Sequence, residues 1–476
     1  MHIGDSVTAT GTPARRARWI TWRATLLSLV AVAAAHPAAA ASVLMISIDG
    51  MKPEYVLQAD AHGLKVPFLR SMLRDGTHAA GVAGVWPTVT YPSHTTLLTG
   101  VSPSVHGILD NAQFDPRRTF DSAWYWYADE IKTRTLWQAA HEAGLSTASV
   151  GWPVSVGARG VDTLIPEYWR TGRPRADVDP SDAALIDALS RPDGLMAELK
   201  ARLGPYMAGN DPGPPGDVVK TRYALEILRT RKPQFMTIHL SALDEQEHAH
   251  GPFSAEANAE LELLDGDLAQ LFAAARANDP DCVAIVVSDH GFTNISHRVN
   301  LLPPFIRAGL VETGTDPQSH AATIAAWKAA PWSGGGMAAI MLHEPVAPGT
   351  EQEVRTLLQE LKADERNGID AVLEGADIKQ RGAFTGASFL VVMKLGYYAL
   401  AEPGGDVVTE LHGSYGSHGF SPEFPDMRAS FFVTGPGIAR HRDLGVIDMR
   451  QIAPTVAQLL HTQLPDATLK PLPIRQ

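Results

Sequence analysis

The sequence predicts an α/β protein, with a central, mostly parallel sheet covered by helices on both faces. Three observations carry this. Short apolar runs recur along the chain, at Val43–Ile48, Thr147–Val150, Phe235–Leu240, Val283–Val287, Leu390–Met393 and Phe431–Val433. Each has the length and bulk of a strand buried on both sides. Stretches with helical periodicity lie between them, among them Val66–Arg74, Thr133–Ala143 and Ala257–Ala275, and such alternation is the mark of crossover units. The chain is also long, 476 residues with 45% hydrophobic residues, enough for a sizeable core.

Taken in order, the chain opens on a targeting segment. Arg15, Arg16, Arg18 and Arg23 precede the apolar stretch from Ala24 to Ala35 and the small-residue run Pro37–Ala41. This is a basic region, an apolar region too short to span a bilayer, and an A-x-A cleavage site. We expect cleavage near Ala41, no stable membrane insertion afterwards, and a periplasmic or secreted protein made of residues 42–476. Arg15-Arg16 is a weak match to twin-arginine export. Residues 204–216 are rich in Pro and Gly and read as a loop. The stretch of about 295–410 holds Ser333-Gly334-Gly335-Gly336 and a helical segment, Glu351–Asp364. It lies between two candidate site motifs and reads as an inserted lid or cap subdomain rather than an independent domain.

Composition removes several function classes. A formal net charge of -12 argues against a nucleic-acid backbone or an anionic membrane as main partner. The single cysteine, Cys282, rules out an internal disulfide, a cysteine zinc ribbon and a paired redox motif. The 18 histidines point the other way, because a metal site without thiolates must be built from His, Asp and Glu.

Three of the runs lead into aspartates: Asp49 after Ile48, Asp244 after Ser241, and Asp289 after Ser288. Ligands bind at the carboxyl ends of strands in open α/β sheets. A lone Asp there is usually a turn or cap residue, but three together, two of them accompanied by histidine, are not explained that way. Asp244 and His248 share a face on a helical turn. Asp289 and His290 can both turn into one cavity, and His418 sits among glycines in Gly416-Ser417-His418-Gly419. His250 is the nearest decoy, and His62, His78, His141, His239, His297, His320, His343, His441 and His461 read as ordinary surface or core histidines.

One more segment carries chemistry. In Trp86-Pro87-Thr88-Val89-Thr90-Tyr91-Pro92, followed by Gly100, Pro92 suits a first helical turn and Gly100 a C-cap. Thr90 or Tyr91 then lies at a helix N-terminus, where free N–H groups and the dipole favour a phosphate. The bland reading of such a threonine is an N-cap.

In this order the motifs Ile48-Asp49-Gly50, Pro87–Pro92 with Thr99-Gly100, His106-Gly107-Ile108 with Asn111, Trp152-Pro153, Asp244-x3-His248-x2-Gly251-Pro252, Ser288–Gly291 and Gly416–Gly419 resemble the nucleotide pyrophosphatase/phosphodiesterase family of the alkaline phosphatase superfamily. The resemblance implies an alkaline-phosphatase-like fold and a catalytic domain over 42–476. It implies a hydrolase of phosphodiester or phosphoanhydride bonds with two Zn²⁺. Thr90 is then the nucleophile, forming a phosphothreonine intermediate. One zinc is held by Asp244, His248 and His418, and the other by Asp49, Asp289 and His290 with Thr90 as a further ligand. Asn111 donates to a non-bridging phosphate oxygen, and Tyr91 stands where an aromatic contacts a small-molecule substrate. Ser93 and Val154 depart from the family pattern, which has Asn and Gly there.

A sulfatase would need Cys or Ser in a C/S-x-P-x-R sequence, and Cys282 lies inside a predicted strand. A phosphonoacetate hydrolase or a phosphomonoesterase of the same superfamily remains an alternative. So does a periplasmic metal-binding protein without turnover.

Overall fold

A computed structural model describes residues 41–117, 124–169, 180–206, 211–315 and 322–476. The expected targeting segment, residues 1–40, lies outside the described residues. Five of the six apolar runs meet in an eight-stranded sheet. Its order is Arg442–Asp443, Gly76–His78, Phe431–Thr434, Val283–Val287, Val43–Ile48, Phe235–Leu240, Thr147–Val150 and Thr163–Ile165. The five strands from Val283–Val287 to Thr163–Ile165 are all parallel.

Two runs depart from the expected parallel arrangement. Phe431–Thr434 is antiparallel to both of its neighbours. Phe389–Met393 leaves the main sheet altogether and pairs antiparallel with Met337–Leu342 and Ile369–Glu374 in a separate four-stranded sheet. The physical reason is common to both. An apolar run reports burial on two faces, not strand direction. Phe389 and Val391 enter one core and Leu390 and Val392 another, so this strand has the same apolar signature as a parallel one.

The central strands show how burial positions the site. Val43 and Met45 point into the core on one face, while Leu44, Ile46 and Ile48 point into the core on the other. The first core is closed by Leu97 and Leu98, by Leu136–Ala140 and by Ile452–Ala457; the second by Leu69 and Met72, by Tyr223–Leu228 and by Leu261–Leu271. Both faces of these strands are dry, and the acids that follow them stand at the strand ends.

Helix boundaries follow local chemistry. The predicted Thr133–Ala143 helix begins at Leu136, because Thr135 and Gln138 form a reciprocal capping box. The expected 204–216 loop ends early. A helix starts at Pro214 and runs to Arg231, since proline in the first turn gives up only an N–H that needs no partner. Residues 293–417 add a three-stranded sheet of Tyr397–Leu400, Thr293–Asn300 and Val408–Ser417, and a helix, Thr350–Ala363. Among the described residues no helix is long and apolar enough to cross a membrane.

Candidate active site

The Val283–Val287, Val43–Ile48 and Phe235–Leu240 strands are neighbours, so the residues after them emerge side by side at one sheet edge. Asp289 and Asp49 leave two of these strand ends directly. Asp244 and His248 follow on the helix Ala242–His250. That helix has no cap from its own Ser241 side chain. Instead the buried Asp217 carboxylate, from the Pro214–Arg231 helix, accepts from Ala242 N at 2.8 Å and Ser241 N at 3.1 Å. It also pairs with Lys220 Nζ at 2.9 Å. His418 arrives at the end of Val408–Ser417, where the peptide of Gly336 donates to its carbonyl at 3.0 Å. A Cβ on Gly335, whose φ is +84°, would sit 2.6 Å from that carbonyl, so this contact requires glycine.

Three histidines share one hydrogen-bonding scheme. Nδ1 of His248 faces Gly416 O at 3.1 Å, Nδ1 of His418 faces Thr88 O at 3.1 Å, and Nδ1 of His290 faces Gly291 O at 3.3 Å. A carbonyl only accepts, so each Nδ1 carries the proton. Each Nε2 then turns toward a carboxylate. His290 Nε2 is 3.1 Å from Asp289 and 3.3 Å from Asp49. His248 and His418 Nε2 are 3.4 and 3.7 Å from Asp244. Burial holds His290 down at about 4 and His418 well below the usual histidine value. The neutral rings of His290 and His418 therefore aim lone pairs at carboxylate oxygens, an arrangement that a cation between them resolves.

The carboxylates repeat the message. Asp49 Oδ1 and Asp289 Oδ2 are buried and accept no hydrogen bond. Burial beside the Asp49 charge pushes Asp289 well up. Asp49 is held well down: burial opposes this, but the hydrogen bond from His239 and the neighbouring imidazoles win. Among the described residues two groups have ligand atoms close enough to share an ion, Asp49–Asp289–His290 and Asp244–His290–His418. The second differs from the expected set, for His290 stands between the two groups and His248 stands at the edge, its side chain 37% exposed. His250 is exposed at its helix end and joins neither group.

Thr90 opens the helix Thr90–Thr99, which Gly100 ends in the left-handed region. Its Oγ1 lies 3.5 Å from His290 Nε2. The other threonines of the motif are committed: Thr88 to Phe420 O at 2.6 Å, Thr95 to Tyr91 O at 2.8 Å and Thr96 to Val101 O at 2.9 Å. Tyr91 N–H donates to Asn111 Oδ1 at 2.8 Å, which turns the Asn111 amide donors the other way. Tyr91 lines the cleft with Thr90, Asn111, Trp124 and Glu167. The residue is 1% exposed, and its ring meets Trp124 edge-on at 5.2 Å.

Sequence reasoning missed His94, Glu167 and His239. His94 donates from Nδ1 to Thr90 O at 2.8 Å and so pins the first turn of the Thr90 helix. His239 lies between Asp49 Oδ2 at 3.0 Å and Glu167 Oε2 at 3.1 Å. Burial pulls His239 down, yet those hydrogen bonds outweigh it and push it up to about 9. The available signal was its place: a histidine inside an apolar strand, one residue from the edge where the acids emerge. The Val154 departure also shows its reason. Its φ is +55°, the region that favours glycine. The strain, about 1–3 kcal/mol, is offset by burying the side chain against Tyr91, Ile108 and Trp126.

The type I phosphodiesterase/nucleotide pyrophosphatase model matches residues 43–421. The chain belongs to this family. Among curated relatives, human ectonucleotide pyrophosphatase/phosphodiesterase family member 1 is 24% identical over 260 residues, 52% of this chain and 23% of that protein. Venom phosphodiesterase 2 of Crotalus adamanteus is 25% identical over 268 residues, 53% of this chain and 27% of that protein. The chain thus spans about a quarter of the length of these relatives. Human ectonucleotide pyrophosphatase/phosphodiesterase 5 shares the fold at a TM-score of 0.59 and 18% identity, with 89% of this chain and 95% of that chain covered. An inactive murine form solved in complex with AMP has a TM-score of 0.60 at 17% identity, with 89% and 96% covered. These members of the alkaline-phosphatase-like fold bear out the expected fold class.

Proposed function

We propose that the protein is an exported, periplasmic two-zinc phosphodiesterase/nucleotide pyrophosphatase. It cleaves phosphodiester or phosphoanhydride bonds of a small molecule through a phosphothreonine intermediate. The observation that carries this reading is Thr90 Oγ1 meeting the acid–histidine cluster, 3.5 Å from His290 Nε2. Family membership supports the reaction class, and AMP in the murine neighbour supports a nucleotide.

The donor set suits zinc: carboxylates and neutral imidazoles, no thiolate, and buried carboxylate oxygens without hydrogen bonds. Asp49, Asp289 and His290 would hold one ion, with Thr90 beside it, and Asp244, His248 and His418 the other. When bound, two such ions supply Lewis-acid stabilisation at both ends of an in-line displacement at phosphorus. Thr90 Oγ1 forms the new P–O bond as the bond to the leaving oxygen breaks, and the hydroxyl proton passes by way of solvent to the departing group. Water then attacks the phosphothreonine, releasing the phosphoryl product and restoring the Thr90 hydroxyl. Asn111, its Oδ1 fixed by Tyr91 N–H, donates from Nδ2 to a non-bridging oxygen. Tyr91 and Trp124 wall the side that receives one arm of the substrate. The 295–410 segment acts as the cap: its Trp332 and Tyr398 line a cavity of about 560 Å³ with Asn111 and His418, which takes the other arm.

The test is hydrolysis of bis-p-nitrophenyl phosphate, p-nitrophenyl phosphate and phosphonoacetate by purified protein, with and without chelator. Preference for the diester, lost on chelation, is the expected outcome. Preference for the monoester or for phosphonoacetate would reassign the enzyme within the superfamily. No turnover of any of them would leave a metal-binding protein.

A further inference from the structure

Asp49 and Asp289 each give one oxygen to a protein donor and keep the other bare. Asp289 does so through the backbone, its Oδ1 accepting from Gly50 N at 3.1 Å. Asp49 does so through a side chain, its Oδ2 lying 3.0 Å from His239 Nε2. Its Oδ1 accepts no hydrogen bond and faces His290 Nε2 at 3.3 Å.

His239 is 2% exposed, and oxygens face both of its ring nitrogens. Nδ1 lies 3.1 Å from Glu167 Oε2 and 3.1 Å from Gly151 O. A ring between acceptors donates from both sides. Glu167 is itself fixed: its Oε1 accepts from Tyr91 OH at 2.8 Å and its N–H donates to Ser155 Oγ at 3.3 Å. Tyr91 in turn holds Asn111 through its backbone N–H. One unbroken hydrogen-bonded chain therefore joins Asn111, Tyr91, Glu167, His239 and Asp49.

We infer that His239, backed by Glu167, is the positioning residue for Asp49. It clamps Oδ2 so that Oδ1 alone is offered to an ion, and it ties that carboxylate to the helix start that carries Thr90. The inference rests on the reading that the Asp49 group binds a metal. A histidine that merely filled the core would leave metal affinity untouched, whereas hydrogen-bond partners of metal ligands are worth roughly 10–100-fold in affinity.

The experiment titrates Zn²⁺ into chelator-stripped full-length protein by calorimetry, with circular dichroism to follow folding. The wild type should take up two equivalents. His239→Leu and Glu167→Ala should weaken one equivalent by roughly 10–100-fold and spare the other. His239→Gln, whose amide nitrogen reaches Oδ2, should recover most of the loss. Glu167→Ala, at a less buried side chain, keeps the test available if His239→Leu does not fold. Unchanged affinity in both variants, or equal weakening of both equivalents, overturns the positioning role. A wild type that takes up no zinc overturns the metal reading, and this inference with it.

Discussion

The imidazoles of His290 and His418 lie almost parallel, their ring centroids 3.7 Å apart and their planes 9° from one another. Two charged rings would repel at that distance, and burial keeps both on the neutral side. The stack joins a strand end of the main sheet to the segment that returns from the 293–417 region. His290 also has a ligand atom within reach of both acid–histidine groups.

His290 should therefore matter more to metal content than His248. We expect His290→Ala to lose the zinc held with Asp49 and Asp289 and, by unstacking His418, to weaken the other, whereas His248→Ala should affect only the second, as elemental analysis of dialysed protein would read. Equal losses would show that the two groups are independent.

Thr90→Ala should lower kcat by roughly 10³-fold or more, since the covalent route goes and only binding and charge stabilisation remain. Thr90→Ser should keep part of the activity, and zinc content should hold in both. Thr88→Ala removes a hydrogen bond to Phe420 O and should act on stability. If Thr88→Ala abolished turnover while Thr90→Ala kept it, the nucleophile would be misassigned.

Asp217→Ala should destabilise the fold by about 3–5 kcal/mol, because it strands the buried Lys220 charge. It also uncaps the helix that carries Asp244 and His248. Chemical denaturation measures this, and a loss under 1 kcal/mol would mean that water replaces the carboxylate.

Asp110 supplies a pH dependence. Burial pushes its carboxyl up to about 8 against the Asn111 N–H that lowers it. A raised folded value means that the native state holds a proton which the unfolded chain has released. Stability should thus fall as pH rises from about 4 to 8, by up to about 1.4 kcal/mol per unit. Asp110→Asn should match the wild type near pH 4 and exceed it in melting temperature at pH 8. Parallel melting curves across that range would contradict the assignment.

Removal of the expected targeting segment near Ala41 would leave a native N-terminus close to Ser42. Mass spectrometry of the protein from a periplasmic or secreted fraction would read it. An intact Met1 in membranes would refute cleavage.

The reading from sequence was strongest where chemistry forces residue type. The strand ends with Asp49, Asp244 and Asp289 and the helix opening at Thr90 were legible, because an apolar run followed by an acid, or a proline after a threonine, has few physical explanations. Direction was not legible, as Phe389–Met393 shows, for burial on two faces leaves the same trace in either sense. Nor was the His239–Glu167 pair, since its partners lie 72 residues apart and only the parallel ladder of Thr163–Ile165, Thr147–Val150 and Phe235–Leu240 brings them together. The His290 position between two groups was missed for a similar reason: spacing assigns each histidine to its sequence neighbours, while ring stacking is a tertiary fact.

Adjacent strands in a sheet lie about 4.8 Å apart, and Asp289 and Asp49 leave neighbouring, hydrogen-bonded strands, with the strand leading to Asp244 next in line. The backbone ladder thus fixes how far apart the Asp49 and Asp289 backbones stand, whatever the loops around them do. His418 has no such anchor in the main sheet, for it arrives from Val408–Ser417. A change in that region can move a histidine of the cluster while the two aspartates stay where the sheet holds them.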